Sequence, residues 1–327
     1  MTEPVENILD AVLVVVAFNE AERISDCLNA LLGQETDQSY EVIVVDDGSS
    51  DDTVGIVTRI QDVEPRLNLV RHESNLGRGA ARRTGQNAAL ARHIGFVDAD
   101  IIVPPDWLQR CSDALGKYSA VSGVALPDGD AAVIWRIFSP SLRFRVGFSG
   151  ITGNNVIFDA DVLLEEPFEV QFTLGEDFRL SHRLMRRGYR LKTLADLTVE
   201  HREAKTYGKA IRYMWDTGID ATSHPFEFKI VRLADASWFA WIVGSLASLI
   251  ASAVGAWGWT AGVLGAVGIT VGTSLVYTIS RFRFLPRPLR WIASAIGNVP
   301  LVAAYLLGRT WGLGVYAARK SVKSLYF

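Results

Sequence analysis

The chain has 327 residues, of which 49% are hydrophobic, and its formal net charge is −3 at pH 7. The length allows two domains, and the hydrophobic fraction is high for a wholly soluble protein. Two cysteines, Cys27 and Cys111, are too few for a disulfide framework, and we expect them to be buried or inert. The basic clusters border apolar segments near the carboxyl terminus, so we expect no nucleic-acid partner.

The amino-terminal part alternates strand-like and helix-like patterns. Apolar runs predict buried strands at 11–17, 41–45, 67–70 and 94–97, and helical spacing of apolar residues predicts helices at 22–33, 53–60 and 79–92. This alternation predicts an α/β fold with a doubly wound, mostly parallel sheet. In such a sheet, ligands bind at the carboxyl ends of the strands, where the candidate site residues lie.

Polar and aromatic residues follow the first two predicted strands. Phe18, Asn19 and Glu20 come after the first strand, and Asp46 and Asp47 end the second. A helix cap explains the serines that follow, but it does not explain two carboxylates at the end of a buried strand. Because desolvated charge is costly unless hydrogen-bond donors meet it, a ribose hydroxyl pair or a base imide is the expected ligand.

A segment rich in glycine and arginine follows the third predicted strand. Gly77 precedes a helix whose first amide groups, with Arg78 and Arg82, could contact a diphosphate. An ordinary helix start explains the same residues equally well. The pattern matches neither the dinucleotide-binding fingerprint nor the phosphate-binding loop, which argues against those two enzyme classes.

Two carboxylates, Asp98 and Asp100, follow the fourth predicted strand. Residues two apart in an extended chain point to the same side, so both acids can face one ligand. Mg²⁺ and Mn²⁺ prefer oxygen ligands and are often held between one or two carboxylates and substrate phosphates. Taken alone, the motif also fits a solvated acidic turn. With the other strand ends, it points to a nucleotide diphosphate and a divalent cation.

A second acidic pair, Glu176 and Asp177, opens a predicted helix that ends near residue 187. Both acids could serve as caps of that helix. His201 closes a predicted strand at 191–199, where it is a candidate metal or phosphate ligand or, equally, a structural histidine.

The ordered set of motifs resembles the family 2 glycosyltransferases of the GT-A fold. The similar segments lie in the family's order at 17–20, 45–53, 75–82, 98–108, 153–155, 175–189 and 199–202. This resemblance implies an inverting enzyme that uses a nucleotide-diphosphate sugar as donor. The donor nucleotide is then expected at Phe18, Asn19, Glu20, Asp46, Asp47, Gly77, Arg78, Arg82 and Asp98.

The same resemblance implies roles for the remaining candidates. Asp98, Asp100 and His201 are expected to hold Mg²⁺ or Mn²⁺. Asp177 is the implied general base, with Glu176 beside it. The sugar or acceptor is expected at Gly153, Asn154 and Asn155.

The acceptor can be argued from proton chemistry. A lipid phosphate is already ionised near neutral pH, whereas a sugar hydroxyl must lose a proton, so the acidic pair favours a hydroxyl acceptor. Ile102 stands where dolichyl-phosphate sugar synthases carry glutamine, and the QxxRW motif of processive synthases is absent. We therefore expect transfer of one sugar to a lipid-linked saccharide or glycolipid. The alternatives are a polyprenyl or dolichyl phosphate acceptor, or a membrane scaffold that binds nucleotide sugars without turnover.

The carboxyl-terminal part predicts membrane attachment. No charged residue occurs from 236 to 280, a run of 45 residues that as one helix would be ~67 Å long, against a hydrocarbon core of about 30 Å. We expect transmembrane helices near 237–257 and 259–280, and a third span or re-entrant segment near 291–308. The chain then divides into a catalytic domain (1–205), a connecting segment (206–235) and a membrane domain (236–327).

Charge and the amino terminus predict the orientation of this arrangement. Arginine and lysine residues flank the apolar segments, and such residues mark the cytoplasmic side of a membrane. The first ten residues are acidic and lack the features of a signal peptide. We therefore expect a multi-pass protein of the cell membrane whose catalytic domain is cytoplasmic.

Overall fold

A computed structural model of the protein describes residues 8–127, 151–171, 175–202, 207–228, 233–255, 258–279 and 299–325. The chain divides into two compact units. The first unit comprises 1–130 and 139–203, and the second comprises 131–138 and 204–327.

The first unit is built from one sheet with helices on both faces. Its described strands are β1 Leu9–Ala17, β2 Tyr40–Asp46, β3 Leu67–Arg71, β4 Ala91–Asp98, β5 Ile101–Ile102, β6 Ala120–Pro127, β7 Asn155–Asp159 and β8 Leu191–His201. Its described helices are α1 Ile24–Leu32, α2 Thr53–Gln61, α3 Arg78–Ala88, α4 Trp107–Ala114, α5 Ala160–Glu165 and α6 Glu176–Arg186.

The strand order is β3-β2-β1-β4-β7-β6-β8-β5. Strands β3, β2, β1 and β4 are parallel, which confirms the predicted alternation of strands and helices up to residue 98. Beyond β4 the sheet is mixed, because β7 runs antiparallel to both β4 and β6. The helix predicted at 79–92 ends at Ala88, since the next residue is already extended and β4 begins at Ala91.

The residues of β1 explain why the sheet is covered on both sides. Leu13 and Val15 face a cluster that contains α1, α2 and α4, whereas Val12 and Val14 face a cluster that contains α3, α5 and α6. This arrangement agrees with the continuous apolar run of β1, since both faces of a parallel sheet are buried. The sheet therefore directs the carboxyl ends of β1, β2 and β4 to one edge, where the chain leaves the core.

Both cysteines belong to this core. Cys27 and Cys111 are free and buried, and burial raises the pKa of both thiols. Their burial agrees with the prediction, and a raised pKa disfavours the thiolate, which is the reactive form.

The second unit is helical, with α7 Tyr207–Phe228, α8 Leu233–Ala253, α9 Trp259–Ile279 and α10 Val299–Leu325 among the described residues. Glycines bring α7 and α10 close together. A Cβ atom at Gly218 would lie 2.2 Å from the carbonyl oxygen of Tyr305, and one at Gly308 would lie 2.3 Å from that of Trp215. Helices α8 and α9 form an antiparallel pair, in which Trp241 Nε1 donates to Thr270 Oγ1 at 2.9 Å.

A buried ion pair links two helices of this unit. Arg309 on α10 donates to Asp235 on α8 at 2.7 Å and also to the carbonyl of Ala221 at 3.2 Å. The guanidinium carbon lies 4.4 Å from the ring centroid of Trp238, and the arginine side chain is fully buried. The charge that interrupts the apolar sequence is therefore paired inside the helical unit.

Across the described ranges, no helix combines the length and the apolar character that a membrane crossing requires. Helices α8 and α9 do form where spans were predicted at 237–257 and 259–280, but membrane spanning itself has no support here. Of the third predicted segment, 291–298 lies outside the described residues, and the remainder is the start of α10.

Candidate active site

A cleft of about 230 Å³ opens at the carboxyl ends of β1, β2 and β4. Four carboxylates and one arginine lie along its described wall. Its lining residues are Val16, Phe18, Glu20, Asp47, Asn75, Gly77, Arg78, Asp98, Ala99 and Asp100. The structure therefore gathers acids that are up to 80 positions apart in the sequence, from Glu20 to Asp100, in one place.

Hydrogen bonds join the loops that follow β1 and β2. Asn19 has a positive φ of 56°, which is uncommon outside glycine, and its amide donates to Ser49 Oγ at 2.8 Å. Its side-chain oxygen accepts from the amide of Ser50 at 2.8 Å. Among the described residues, Asn19 thus shapes the cleft from outside its lining. Its predicted contact with the donor nucleotide stays a prediction.

Neighbouring acids Asp46 and Asp47 have different positions. The Asp46 side chain is fully buried, accepts from the amide of Ser49 at 3.1 Å, and lies 3.6 Å from Arg71 Nε. It is not part of the described cleft wall, so the structure places it as the residue that shapes the turn after β2. Asp47, the next residue, lines the cleft.

Asp47 holds the loop that precedes α3. Its Oδ1 accepts from the amide of Leu76 at 2.9 Å and from His72 Nδ1 at 2.7 Å, and its Oδ2 accepts from the amide of Gly77 at 2.8 Å. Gly77 has a φ of 92°, in the region that glycine adopts without strain. These donors explain how a carboxylate is kept at the buried end of a strand, and they place Gly77 and Arg78 at the cleft.

Phe18 and Glu20 form the β1 side of the cleft. The Phe18 side chain is 45% exposed, which leaves its ring accessible to a flat ligand. Glu20 Oε2 accepts from Arg23 Nε at 2.7 Å. Burial raises the pKa of the Glu20 carboxyl, the negative charge of Asp100 raises it further, and Arg23 lowers it. The cleft therefore concentrates negative charge, which favours a cation inside it.

Arg82 is at the centre of a buried network behind the cleft. It forms an ion pair with Glu176, donates through Nη2 to Asp98 Oδ1 at 2.8 Å, and donates to the carbonyl of Gly153 at 2.9 Å. Only 2% of the Arg82 side chain and 3% of the Glu176 side chain are exposed. Arg82 was predicted to contact the donor nucleotide and Glu176 to lie beside the general base, and the structure places them as each other's charge partners. A substrate role for either stays a prediction.

Asp177 adjoins this network at the start of α6. Its Oδ2 accepts from the amide of Gly153 at 2.8 Å, and its side chain is partly exposed. A Cβ atom at Gly153 would lie 2.8 Å from Arg82 Nη1 and 2.9 Å from Asp177 Cβ, so only glycine fits there. With Glu176 neutralised by Arg82, Asp177 is the acid of this pair that is better placed to accept a proton.

The two asparagines that follow Gly153 have structural partners. The carbonyl of Asn154 accepts from the amide of Asp98 at 3.1 Å. Asn155 is buried, and its side-chain oxygen accepts from the amide of Gly123 at 2.6 Å. Their predicted contact with sugar or acceptor stays untested, although the segment does bring the Asp98 and Asp177 regions together.

Asp100 and His201 lie side by side, with Asp100 Oδ2 and His201 Nε2 3.1 Å apart. Asp100 lies in the turn between β4 and β5, and His201 ends β8, which pairs antiparallel with β5 at Ile101 and His201. Within the described ranges, no group of three or more histidine, cysteine, aspartate or glutamate side chains is arranged to hold a metal ion. The donor chemistry nevertheless fits Mn²⁺ or Mg²⁺, because such ions are often held by few protein ligands and by substrate phosphates.

Sequence reasoning missed two residues of this region, His72 and Thr84. His72 follows β3 in a segment without a motif, and Thr84 is one polar residue of α3. The strand-end rule could have identified His72, because it directly follows the end of a parallel strand, as Asp47 does. No sequence signal predicts that Arg82 and Glu176, 94 residues apart, form a pair.

Comparison with known proteins agrees with this geometry. Residues 12–159 match the family described as glycosyl transferase family 2. The succinoglycan biosynthesis protein ExoO of Rhizobium meliloti is 32% identical over 189 residues, which cover 55% of this chain and 53% of that protein. Glycosyltransferase AglE of Haloferax volcanii is 26% identical over 222 residues, 63% of this chain and 71% of that protein. The match thus spans about half the length of ExoO.

One solved structure extends the likeness to the fold. The mannosyltransferase PcManGT from Pyrobaculum calidifontis, in complex with GDP-Man and Mn²⁺, has a TM-score of 0.63 and 18% identity, and the match covers 94% of this chain and 88% of that one. At this identity the likeness concerns the fold alone, and it agrees with the mixed α/β sheet. Residues 12–159 are therefore similar to a glycosyl transferase family 2 domain.

Proposed function

We propose that the protein is an inverting, metal-dependent glycosyltransferase. It would move one sugar from a nucleotide-diphosphate sugar to a hydroxyl group of a lipid-linked saccharide or glycolipid. The observation that supports this most is the cleft at the ends of three parallel strands, which brings Phe18, Asp47, Asp98 and Asp100 together.

The nucleotide part of the donor fits the β1 and β2 side of the cleft. The exposed Phe18 ring offers a stacking surface for a base. The Asp47 carboxylate accepts three hydrogen bonds and has about four lone-pair sites, so one acceptor site is left for a ligand. A carboxylate accepts a hydrogen bond from the ring N–H of uracil, thymine or guanine, whereas the corresponding ring nitrogen of cytosine or adenine is itself an acceptor.

The diphosphate fits the side of the cleft formed by Arg78 and Asp100. Asp100, with Asp98 and His201 beside it, would hold Mn²⁺ or Mg²⁺, whose charge would stabilise the leaving nucleoside diphosphate. Arg78 lies at the start of α3, where a cation and backbone amides favour an anion. Arg82 would act behind this wall by fixing the Asp98 carboxylate.

Replacement of Asp100 by alanine tests the donor and metal part of the proposal. We expect a matching UDP-, GDP- or dTDP-sugar with Mn²⁺ to raise the Tm of the wild-type protein by about 5–10 °C at concentrations ~100-fold above Kd. Asp100→Ala should lose the part of this shift that depends on Mn²⁺, because the variant lacks a metal ligand. The measurement is a thermal-shift titration with and without EDTA.

The matched control is Asp62→Ala, which removes an exposed carboxylate away from the cleft. It should keep the full response to Mn²⁺ and donor. An unchanged Mn²⁺ response in Asp100→Ala would contradict the metal assignment. Absence of a response to every donor in the wild-type protein would contradict the proposed function.

The acceptor side of the proposal depends on Asp177. A sugar hydroxyl must lose its proton during transfer, and Asp177 is partly exposed beside Gly153, close to the Asp98 region. Because Glu176 is paired with Arg82, Asp177 would act as the general base. Glu176 would hold the residues around Asp177 in place through this ion pair.

We also propose that the second unit attaches the protein to the cell membrane, with the catalytic unit on the cytoplasmic side. Helix α8 exposes an apolar face made of Phe239, Val243, Leu246 and Ile250, at the i, i+4, i+7 and i+11 positions of one stripe. On α9, Val263, Leu264 and Val267 are also exposed. A large exposed apolar surface is typical of an interaction site, and basic residues near 281–290 and 319–323 would favour anionic lipid.

Substitution of glutamate for apolar residues of this face tests the proposed attachment to the membrane. We expect the full chain to float with phospholipid vesicles in a density gradient, and the triple variant Phe239→Glu, Leu246→Glu, Ile250→Glu to lose most of this binding, because charge must then be desolvated. The control is Val63→Glu with Leu90→Glu, two exposed apolar residues of the first unit. Equal flotation of the triple variant and the wild-type protein would rule out this face as the attachment site.

A further inference from the structure

A chain of three side chains supports the Asp47 carboxylate from behind. His72 Nδ1 lies 2.7 Å from Asp47 Oδ1, and His72 Nε2 lies 2.9 Å from Thr84 Oγ1. The chain joins the end of β2, the end of β3 and the middle of α3. A neutral ring with its proton on Nδ1 donates to the carboxylate, and its Nε2 then accepts from the threonine hydroxyl.

Of these three residues, only Asp47 reaches the cleft in which a ligand would bind. Among the described residues, Asp47 lines the cleft, but His72 and Thr84 do not. The His72 side chain is 10% exposed and that of Asp47 is 3% exposed. The imidazole is therefore too far inside to contact a bound ligand, and its effect on one must pass through Asp47.

We propose that His72, backed by Thr84, is a positioning residue that aims the free acceptor site of Asp47 at the base of the donor nucleotide. This inference rests on the proposed function, and it adds the residues that determine base specificity. The backbone of His72 is itself fixed, because its amide donates to the carbonyl of Asp46 at 2.9 Å. The ring thus holds Asp47 from a rigid strand end.

The other two hydrogen-bond donors to Asp47 cannot by themselves fix the direction of its carboxylate. The amides of Leu76 and Gly77 belong to the loop before α3, which contains the positive-φ glycine. A loop can move together with the carboxylate that it binds. The imidazole, in contrast, is attached to β3 through the backbone and to α3 through Thr84. It therefore determines the direction in which the carboxylate points.

Two substitutions at position 72 separate positioning from simple packing. In His72→Asn the amide nitrogen takes the place of Nδ1 and can still donate to Asp47, whereas in His72→Gln it takes the place of Nε2 and reaches toward Thr84. The measurement is isothermal titration of the full chain, with Mn²⁺, against UDP, GDP, CDP and ADP. The quantity of interest is the affinity ratio between CDP and whichever of UDP and GDP, whose bases carry a ring N–H, binds more tightly.

We expect wild-type protein to prefer UDP or GDP over CDP, and His72→Asn to keep this ratio within about twofold. His72→Gln should lower the ratio about tenfold, which is the usual effect of losing one hydrogen bond to a charged group. Thr84→Val should lower the ratio less, and Thr84→Ser should restore it because serine keeps the hydroxyl.

Three results would overturn the inference. An unchanged ratio in His72→Gln would show that the ring does not aim Asp47. Equal weakening for all four nucleotides would assign His72 to packing alone. Absence of nucleotide binding by the wild-type protein would overturn the proposed function and this inference with it, whereas the first two results leave the proposed function intact.

Discussion

Replacement of Arg82 by methionine is expected to lower the free energy of unfolding of the first unit by about 3–5 kcal/mol, because a buried carboxylate would lose its charge partner. Arg82 pairs with Glu176 and Asp98, and both Arg82 and Glu176 are almost completely buried. Methionine retains much of the volume, so the loss should come from the unpaired charge and not from a cavity. Urea unfolding followed by tryptophan fluorescence measures the change.

Two comparisons assign the loss to the buried charge. Arg92→Met removes an arginine that is 72% exposed and should change the free energy of unfolding by less than about 0.5 kcal/mol. The double variant Arg82→Met, Glu176→Met removes both charges of the pair and should be more stable than Arg82→Met alone. If the single and double variants had equal stability, the pair would have no special role in the fold.

Replacement of Asp177 by asparagine is expected to lower kcat for a hydroxyl acceptor by about 10²–10⁴-fold, because the proposed general base would be lost. The fold should be kept, since the asparagine side-chain oxygen can still accept from the amide of Gly153. The KM for the donor should change little, because the proposed donor contacts lie on the Asp47 and Asp100 side of the cleft. Steady-state transfer to a panel of glycolipids and polyprenyl phosphates provides the measurement.

The same variant distinguishes the two acceptor classes. Transfer to a lipid phosphate needs no proton removal, so activity on polyprenyl phosphate that survives Asp177→Asn would favour the phosphate alternative. Asp161→Asn, which changes an exposed acid in the first turn of α5, is the control and should keep wild-type kcat. Full activity of Asp177→Asn on a hydroxyl acceptor would remove Asp177 from the mechanism.

Much of the cleft could be predicted because parallel strands impose their own geometry. Apolar runs identify β1, β2 and β4, and the carboxyl ends of parallel strands meet at one edge. Asp47, Asp98 and Asp100 therefore had to be neighbours if the runs were strands, and the structure brings them together. The resemblance to a known family could be drawn from the same residues, since their order along the chain is specific.

Other features depend on contacts that local sequence does not encode. Asp46 and Asp47 look alike in the sequence, but the alternation of a strand buries the first and turns the second to the cleft. The antiparallel β7 follows a segment that carries no register signal. Arg309 directly follows the apolar segment predicted near 291–308, and its partner Asp235 is 74 positions away. In this last case a long-range partner decided the outcome.

The Arg309 and Asp235 pair also constrains how the second unit can vary during evolution. A neutral residue at either position would leave the opposite charge unpaired in an apolar interior. This destabilises the fold more than replacing both residues together. The close contacts at Gly218 and Gly308 leave little freedom for α7 and α10 to shift and relieve that charge. Substitutions at positions 235 and 309 are therefore coupled, and homologous sequences should keep both residues or lose both.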